Sequence, residues 1–311
     1  QPVSLIGSSR PFRKTVDAAR RAASGADTVV LVGEPGSGRG QAGRYIHSRS
    51  ARALGPLVVV DCRLPPAELE ELLFGRTSAP GVPPQSSALL KADGGSLLLR
   101  DLEALPRHLA ERLSRLLLKK AAPARPGGEE PVDVRVMATV RGNLDALASR
   151  GEFEPALARA LAGVELETVP LRERKPDVAQ LFEWFWSELG RTQRLAAPML
   201  SPDARRLLGE HEWPGNVEEL RLVAERLSVL YAGVEVTALQ LPPEISGGGV
   251  AVQPDATLAE RISRLERDAI SEALRAANGK KIRAAAALGI SRPTLDKKID
   301  EYQLVVEKRR A

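Results

Sequence analysis

Continuous apolar runs and helix-spaced apolar stripes alternate along the first 170 residues, and beyond Pro170 the stripes alone continue. Thr28 to Val32, Leu57 to Cys62, Gly94 to Asp101, Val134 to Val140 and Val164 to Val169 read as strands, the first two as buried ones. Between them, Phe12 to Ala23, Gln41 to His47, Pro66 to Phe74 and Pro106 to Lys119 carry helical spacing, as does the second half of Gly142 to Leu161. Such alternation predicts an α/β fold, a parallel sheet covered on both faces by helices. Arg76 to Ser87, with Pro80, Gly81, Pro83 and Pro84, reads as an exposed loop, and Ala121 to Val132, rich in Pro, Gly and Glu, as a mobile one.

From Pro170 the pattern is helical. Val178 to Leu189 carries Phe182, Trp184, Phe185 and Trp186, expected as core of a helical subdomain because no basic residue interleaves them before Arg191. Ser201-Pro202-Asp203 opens a helix to His211, and a turn at Trp213 to Val217 leads into another from Glu218 to Ala232. Ser246 to Asp255 reads as a flexible linker. Beyond it, Leu258, Ile262, Leu265, Ala269, Ala273 and Ala277 mark an amphipathic helix that Asn278-Gly279 ends. Lys281 to Leu288 is a short helix, Gly289-Ile290 a turn, and Ser291 the N-cap of a last helix that tolerates Pro293 in its first turn. Two short helices joined through a glycine turn make a helix-turn-helix. The expected domains are 1–170 (α/β), 171–245 (helical lid), 246–256 (linker) and 257–311 (helix-turn-helix).

Charge sharpens this division. The net charge is +5, and residues 257–311 hold 13 Lys and Arg against 8 Asp and Glu, so the remainder is balanced at 32 against 32. All the excess positive charge sits on the helix-turn-helix, the footprint of a DNA-binding module on a neutral body. The single cysteine, Cys62, excludes an internal disulfide, and His47, His108 and His211 offer no metal-ligand spacing. No apolar run approaches a membrane span and no signal pattern opens the chain, so a cytoplasmic location without membrane contact is expected. The start at Gln1 rather than Met suggests that something upstream, a tag or a regulatory domain, has been removed.

The candidate chemistry lies in Gly33 to Gly40, between the first strand and its helix. Strand, glycine loop and helix make a phosphate cradle, with Gly33, Gly36, Ser37, Gly38, Arg39 and Gly40 as nucleotide-binding candidates. In a P-loop the last two places are Lys and Ser or Thr; here they are Arg39 and Gly40. At the end of the third strand, where such ATPases carry an acid for Mg²⁺ and one for the attacking water, Arg100 and Asp101 stand. A guanidinium there repels the ion it ought to hold; its plain structural role is an ion pair with a neighbouring acid.

Leu5-Ile6-Gly7, the glycine loop, Val60-Asp61-Cys62, Glu71 to Gly75, Asp93-Gly94-Gly95, Pro170 to Arg174 and Trp213 to Val217 occur in the order found in one family. The chain resembles the AAA+ domain and DNA-binding tail of bacterial enhancer-binding proteins of the nitrogen-regulator type, which activate sigma-54 RNA polymerase. The resemblance implies an AAA+ P-loop sheet, a helical lid and a Fis-type helix-turn-helix. It also exposes departures. Arg76 to Val82 replaces the family's Gly-Ala-Phe-Thr-Gly-Ala loop, which grips sigma-54. The sensor Asn falls at Arg141, the two arginine fingers at Glu154 and Ala160, and the lid's sensor Arg at Glu218; Arg159 lies one place from the second finger.

So many altered groups predict a pseudo-ATPase, with no catalytic residue and no metal assigned, in which ATP or ADP is the one candidate cofactor. The alternative is an ATP-driven activator in which Arg39 and Arg159 take over the missing roles. In the Fis-like tail, Arg292 and Thr294 are assigned to base edges, Lys297 and Lys298 to bases or phosphates, and Lys280, Lys281 and Arg283 to the DNA backbone, with Ser291 at the helix start and Leu295 and Ile299 in the core. Double-stranded DNA is the expected partner. A homodimer through the tail follows from the resemblance, with a higher oligomer through the body and contact with RNA polymerase or another regulator as further candidates, and sigma-54 contact disfavoured.

Overall fold

The computed structural model describes residues 3–76, 86–123, 128–193, 199–246, 270, 273–274 and 281–302. Contacts divide the chain into two units, Gln1–Gly247 and Gly248–Ala311. The first begins with α1 (Arg10–Ser24), β1 (Val29–Val32), α2 (Arg39–Arg49), β2 (Leu57–Asp61), α3 (Pro66–Phe74), α4 (Ala88–Lys91) and β3 (Ser96–Arg100). It continues through α5 (Arg107–Lys119), β4 (Ala121–Pro123), β5 (Glu129–Pro131), β6 (Arg135–Val140), α6 (Leu144–Ser149), α7 (Pro155–Ala160) and β7 (Val164–Glu167). Five strands form one parallel sheet in the order β2-β3-β6-β1-β7.

Successive residues of a strand face opposite sides, so each central strand feeds two cores. Val30, Leu97, Leu99 and Ala138 pack with Leu69, Leu73, Leu109 and Leu113, while Val29, Leu31, Leu98 and Met137 pack with Ala19, Tyr45 and Ile46. That is why the runs read as apolar on both faces. Cys62 is buried at the end of β2, and burial pushes its thiol up to about 12, with Asp61 and Asp101 adding to the shift. His47 is buried against Ser96, Nδ1 to Oγ 3.0 Å, and His108 is exposed.

Two loop expectations need correction. Ala121 to Val132 is not simply a mobile loop: β4 and β5 pair antiparallel, with Ala121 opposite Pro131, and Ala121 and Ala122 are buried. Polar composition hid a strand that needs only two small apolar residues to seat it. Of Arg76 to Ser87, Ser87 is buried and caps α4 through Leu90 N–H to Oγ, 3.2 Å; residues 77–85 lie outside the described residues.

The lid follows as α8 (Asp177–Gln193), β8 (Met199–Leu200), α9 (Pro202–Glu210), α10 (Asn216–Leu230), β9 (Glu235–Val236) and α11 (Pro243–Ser246). Phe182 and Trp186 are buried in its core and meet edge to face at 4.6 Å, and the Trp186 indole donates to the Ala224 carbonyl at 2.8 Å. Trp184 departs from the expected aromatic core: it is 36% exposed and lines the cavity beside the glycine loop, as does Phe185, which still packs against the lid core. Trp213 anchors the α9 to α10 turn, fully buried, its indole donating to the Leu208 carbonyl at 2.9 Å.

In the second unit, α12 (Lys281–Ala287) and α13 (Arg292–Glu301) join through Gly289 at φ +66°. Leu295 and Ile299 are buried with Ile270, Leu274, Ala284 and Ala285. Most of the long amphipathic helix expected before it, and the linker, lie outside the described residues.

Candidate functional site

The glycine loop leaves β1 and enters α2 beneath a cavity of about 740 Å³. Gly36 sits at φ +75° and Gly38 at φ +103°, where side chains carry strain. A Cβ at Gly36 would also lie 2.2 Å from the Gly215 carbonyl, so lid and loop touch through backbone. The N–H groups of Arg39, Gly40 and Gln41 open α2 and have no carbonyl in their own helix to bond, which leaves them for an anion. Two candidate groups are already used within the fold. Gly33 N–H donates to the Val140 carbonyl at 3.1 Å, and the buried Ser37 hydroxyl lies 2.7 Å from both the Glu34 carbonyl and Thr168 Oγ1.

Arg39 lines the cavity, but its guanidinium is tied to an acid within the fold. Its side chain is 6% exposed, its Nη2 donates to Asp101 Oδ1 at 2.7 Å, and its Nη1 is buried without a hydrogen-bond partner. Burial pulls the guanidinium below its ordinary pKa, and Asp101 opposes the shift. Asp101, at φ +50° after β3, donates its own N–H to Thr139 Oγ1 at 2.9 Å, and its other oxygen forms an ion pair with Arg63, 3.1 Å from Nε. The acid at the water-activating place is thus held by two arginines. Nothing in the local pattern around Arg63 signalled that contact, because it joins two separate strand ends.

Arg100 lies beside Gly40 and 4.0 Å from Asp61, as the ion-pair expectation had it. Asp61 is held more closely by Arg63, at 3.0 and 2.7 Å, which keeps its carboxyl down at about 2. Mg²⁺ does not fit these residues: Gly40 has no hydroxyl, Arg100 supplies positive charge, and the described residues include no cluster of three or more His, Cys, Asp or Glu able to hold a metal.

The remaining degenerate positions are paired within the fold or lack a charge. Arg141 Nε lies 3.1 Å from Glu103, and Glu218 accepts from Arg221 at 2.6 Å. Glu154 caps α7 through Ala156 N–H and faces Arg107 Nε at 3.3 Å; Ala160 ends that helix. Arg159 is exposed. A second polar lock ties lid to loop: Arg172 grips Glu34 at 2.6 and 2.7 Å, Asn216 Nδ2 reaches Glu34 and the Pro35 carbonyl, and Val217 N–H donates to the Gly36 carbonyl. Arg174, buried and lowered to about 10 by burial, donates to the Ser37 carbonyl at 3.2 Å and lies over the Phe12 ring.

Arg172, then Asn216, holds Glu34 well below its ordinary 4.5, at about 2. A lowered acid stabilises the fold above its unfolded pKa and loses that contribution as pH falls through the folded one. Glu34→Gln should therefore flatten the loss of stability between about pH 4.5 and pH 2, read by urea denaturation at each pH.

On the helix-turn-helix, Ser291, Arg292, Thr294, Lys297 and Arg283 are exposed. Thr294 N–H donates to Ser291 Oγ at 3.3 Å, which starts α13 as a cap should. Lys281 is less free than its backbone-contact assignment supposed: it pairs with Asp296 at 2.7 Å. Lys298 lies 3.4 Å from Tyr302 Oη, and Lys280 lies outside the described residues.

Residues 5–167 match the family described as Sigma-54 interaction domain, 172–257 the AAA+ ATPase lid domain, and 261–302 the Bacterial regulatory protein, Fis family. The nitrogen assimilation regulatory protein NtrX of Azorhizobium caulinodans is 32% identical over 96% of this chain and 69% of its own. Regulatory protein AtoC of Escherichia coli is 34% identical over 88% of this chain and 62% of its own, so this chain spans about two thirds of such relatives. Among solved structures, NtrX from Brucella abortus matches with TM-score 0.72 at 28% identity, over 96% of this chain and 69% of that one. That protein was also solved with ADP and with ATP.

Proposed function

Because this chain belongs to the family of sigma-54 enhancer-binding regulators, we propose that it is a sequence-specific DNA-binding transcription regulator whose AAA+ body does not hydrolyse ATP. The observation that carries the reading is the buried Arg39–Asp101 pair. Phosphoryl transfer needs a free cation on the phosphates and a free acid for the nucleophile, and here each neutralises the other. The altered sensor, finger and metal positions add to the same reading. The NtrX structures with ADP and ATP support the glycine loop as a nucleotide site. Replacement of the Gly-Ala-Phe-Thr-Gly-Ala segment by Arg76 to Val82 argues separately against sigma-54 contact.

The body then serves as a scaffold for self-association or for another regulator, and the tail selects the site. Arg292→Ala should cost about 1–3 kcal/mol and relax specificity at one position, whereas Lys297→Ala should weaken all sequences alike and lower the salt slope by about one. Binding isotherms across a salt series read both. A reporter whose promoter requires sigma-54 should stay silent with this chain. Activation that Arg39→Ala abolishes would overturn the proposal in favour of an ATP-driven activator.

A further inference from the structure

We propose that the cavity over α2 is a polyphosphate site that works without a divalent metal, with Arg100 as its built-in counter-ion. The inference rests on the reading that this site holds phosphate without hydrolysing it. Four observations carry it. First, the cradle is formed: α2 spans 11 residues, its first N–H groups lack helical partners, and among the described residues nothing lies within 4 Å of a Cβ built on Gly38. Second, Arg39 opens that helix with its side chain only 6% exposed and its Nη1 buried without a hydrogen-bond partner, a polar group at the cradle that the fold leaves unsatisfied.

Third, the Arg100 side chain runs over the N-terminal turn. A Cβ on Gly40, which starts the direction a metal-binding hydroxyl would take, meets Arg100 Nε at 3.6 Å and Cδ at 4.0 Å. Fourth, that guanidinium keeps charge to give, because Asp61, the acid 4.0 Å from it among the described residues, is already chelated by Arg63. In a metal-dependent site the ion neutralises the β- and γ-oxygens. Here a guanidinium fork stands in that region and offers hydrogen bonds to the same oxygens, while repelling a divalent ion.

The test is isothermal titration of the full chain with ADP and with inorganic pyrophosphate, each in EDTA and in Mg²⁺. ADP should bind in EDTA within about threefold of its affinity in Mg²⁺, since Gly40 and Arg100 offer the metal no oxygen side chain at the two places where such sites hold it. Pyrophosphate that matches ADP supports a site for the phosphate chain alone; pyrophosphate that fails while ADP binds supports one for nucleoside polyphosphates. Arg100→Gln, at a half-exposed position that should leave the melting temperature unchanged, should weaken binding in EDTA by about tenfold or more, while Arg100→Lys stays within about threefold. Binding that requires Mg²⁺, no binding of either probe, or equal losses in the two Arg100 variants would overturn the inference. Phosphate release would instead count against the absence of hydrolysis, so the two failures are distinguishable.

Discussion

Asp101→Ala is expected to destabilise the α/β body by about 3–5 kcal/mol, because it leaves the buried Arg39 guanidinium without its acid. Two features put this change at the large end. Arg39 already has one nitrogen buried and unbonded, and Asp101 is the group that offsets the cost of burying the rest. The loss is mainly the cost of an orphaned charge, not the worth of the pair. A double variant, Arg39→Met with Asp101→Asn, removes that charge and should recover all but about 1 kcal/mol of the single loss, since apolar replacement of a buried pair is often near neutral. Asparagine also tolerates the left-handed backbone at φ +50°. Chemical denaturation of the two singles and the double gives the coupling directly.

Trp213→Ala is the second large effect, also about 3–5 kcal/mol, from loss of a fully buried aromatic in the lid. The indole fills the turn between α9 and α10, stacks edge to face on His211 at 4.8 Å and supplies the donor for Leu208. Its residue is at φ +52°, strain that alanine keeps while losing the contacts that offset it. The next helix depends on it, because Asn216 N–H donates to the Trp213 carbonyl and Asn216 Oδ1 accepts from Leu171 N–H. Trp213→Phe should lose less, keeping most of the volume but not the indole bond. Urea titration followed by circular dichroism orders the three proteins.

Four of the five strands were legible because each is an apolar run, so composition alone marks Val29 to Val32 or Ser96 to Arg100, whereas β7 alternates Val-Glu-Leu-Glu with Leu166 its one buried residue. The antiparallel pair of β4 and β5 was not, because two alanines among prolines and glutamates carry no run. Positions 39, 100 and 101 were identified as altered from their places in the motifs. What they do together is a long-range fact: residues 39 and 101 are brought together by the parallel order of β1, β6 and β3, and Arg63 arrives from the end of β2. Trp184 had been expected in the core with its neighbours, but a helix of four aromatics in five residues cannot turn all of them inward. In the tail, Leu295 and Ile299 fall one turn apart, so their burial followed from spacing, whereas the Lys281 pair with Asp296 joins two helices and was hidden.

The most direct test is steady-state phosphate release from Mg-ATP by the purified full chain at high protein concentration, where any assembly the body makes would form. The account predicts release no greater than that of a heat-inactivated control, at every ATP concentration. Sustained release that Arg39→Ala or Asp101→Asn abolishes would contradict it, and would show that the Arg39–Asp101 pair opens to perform the chemistry it is here held to block.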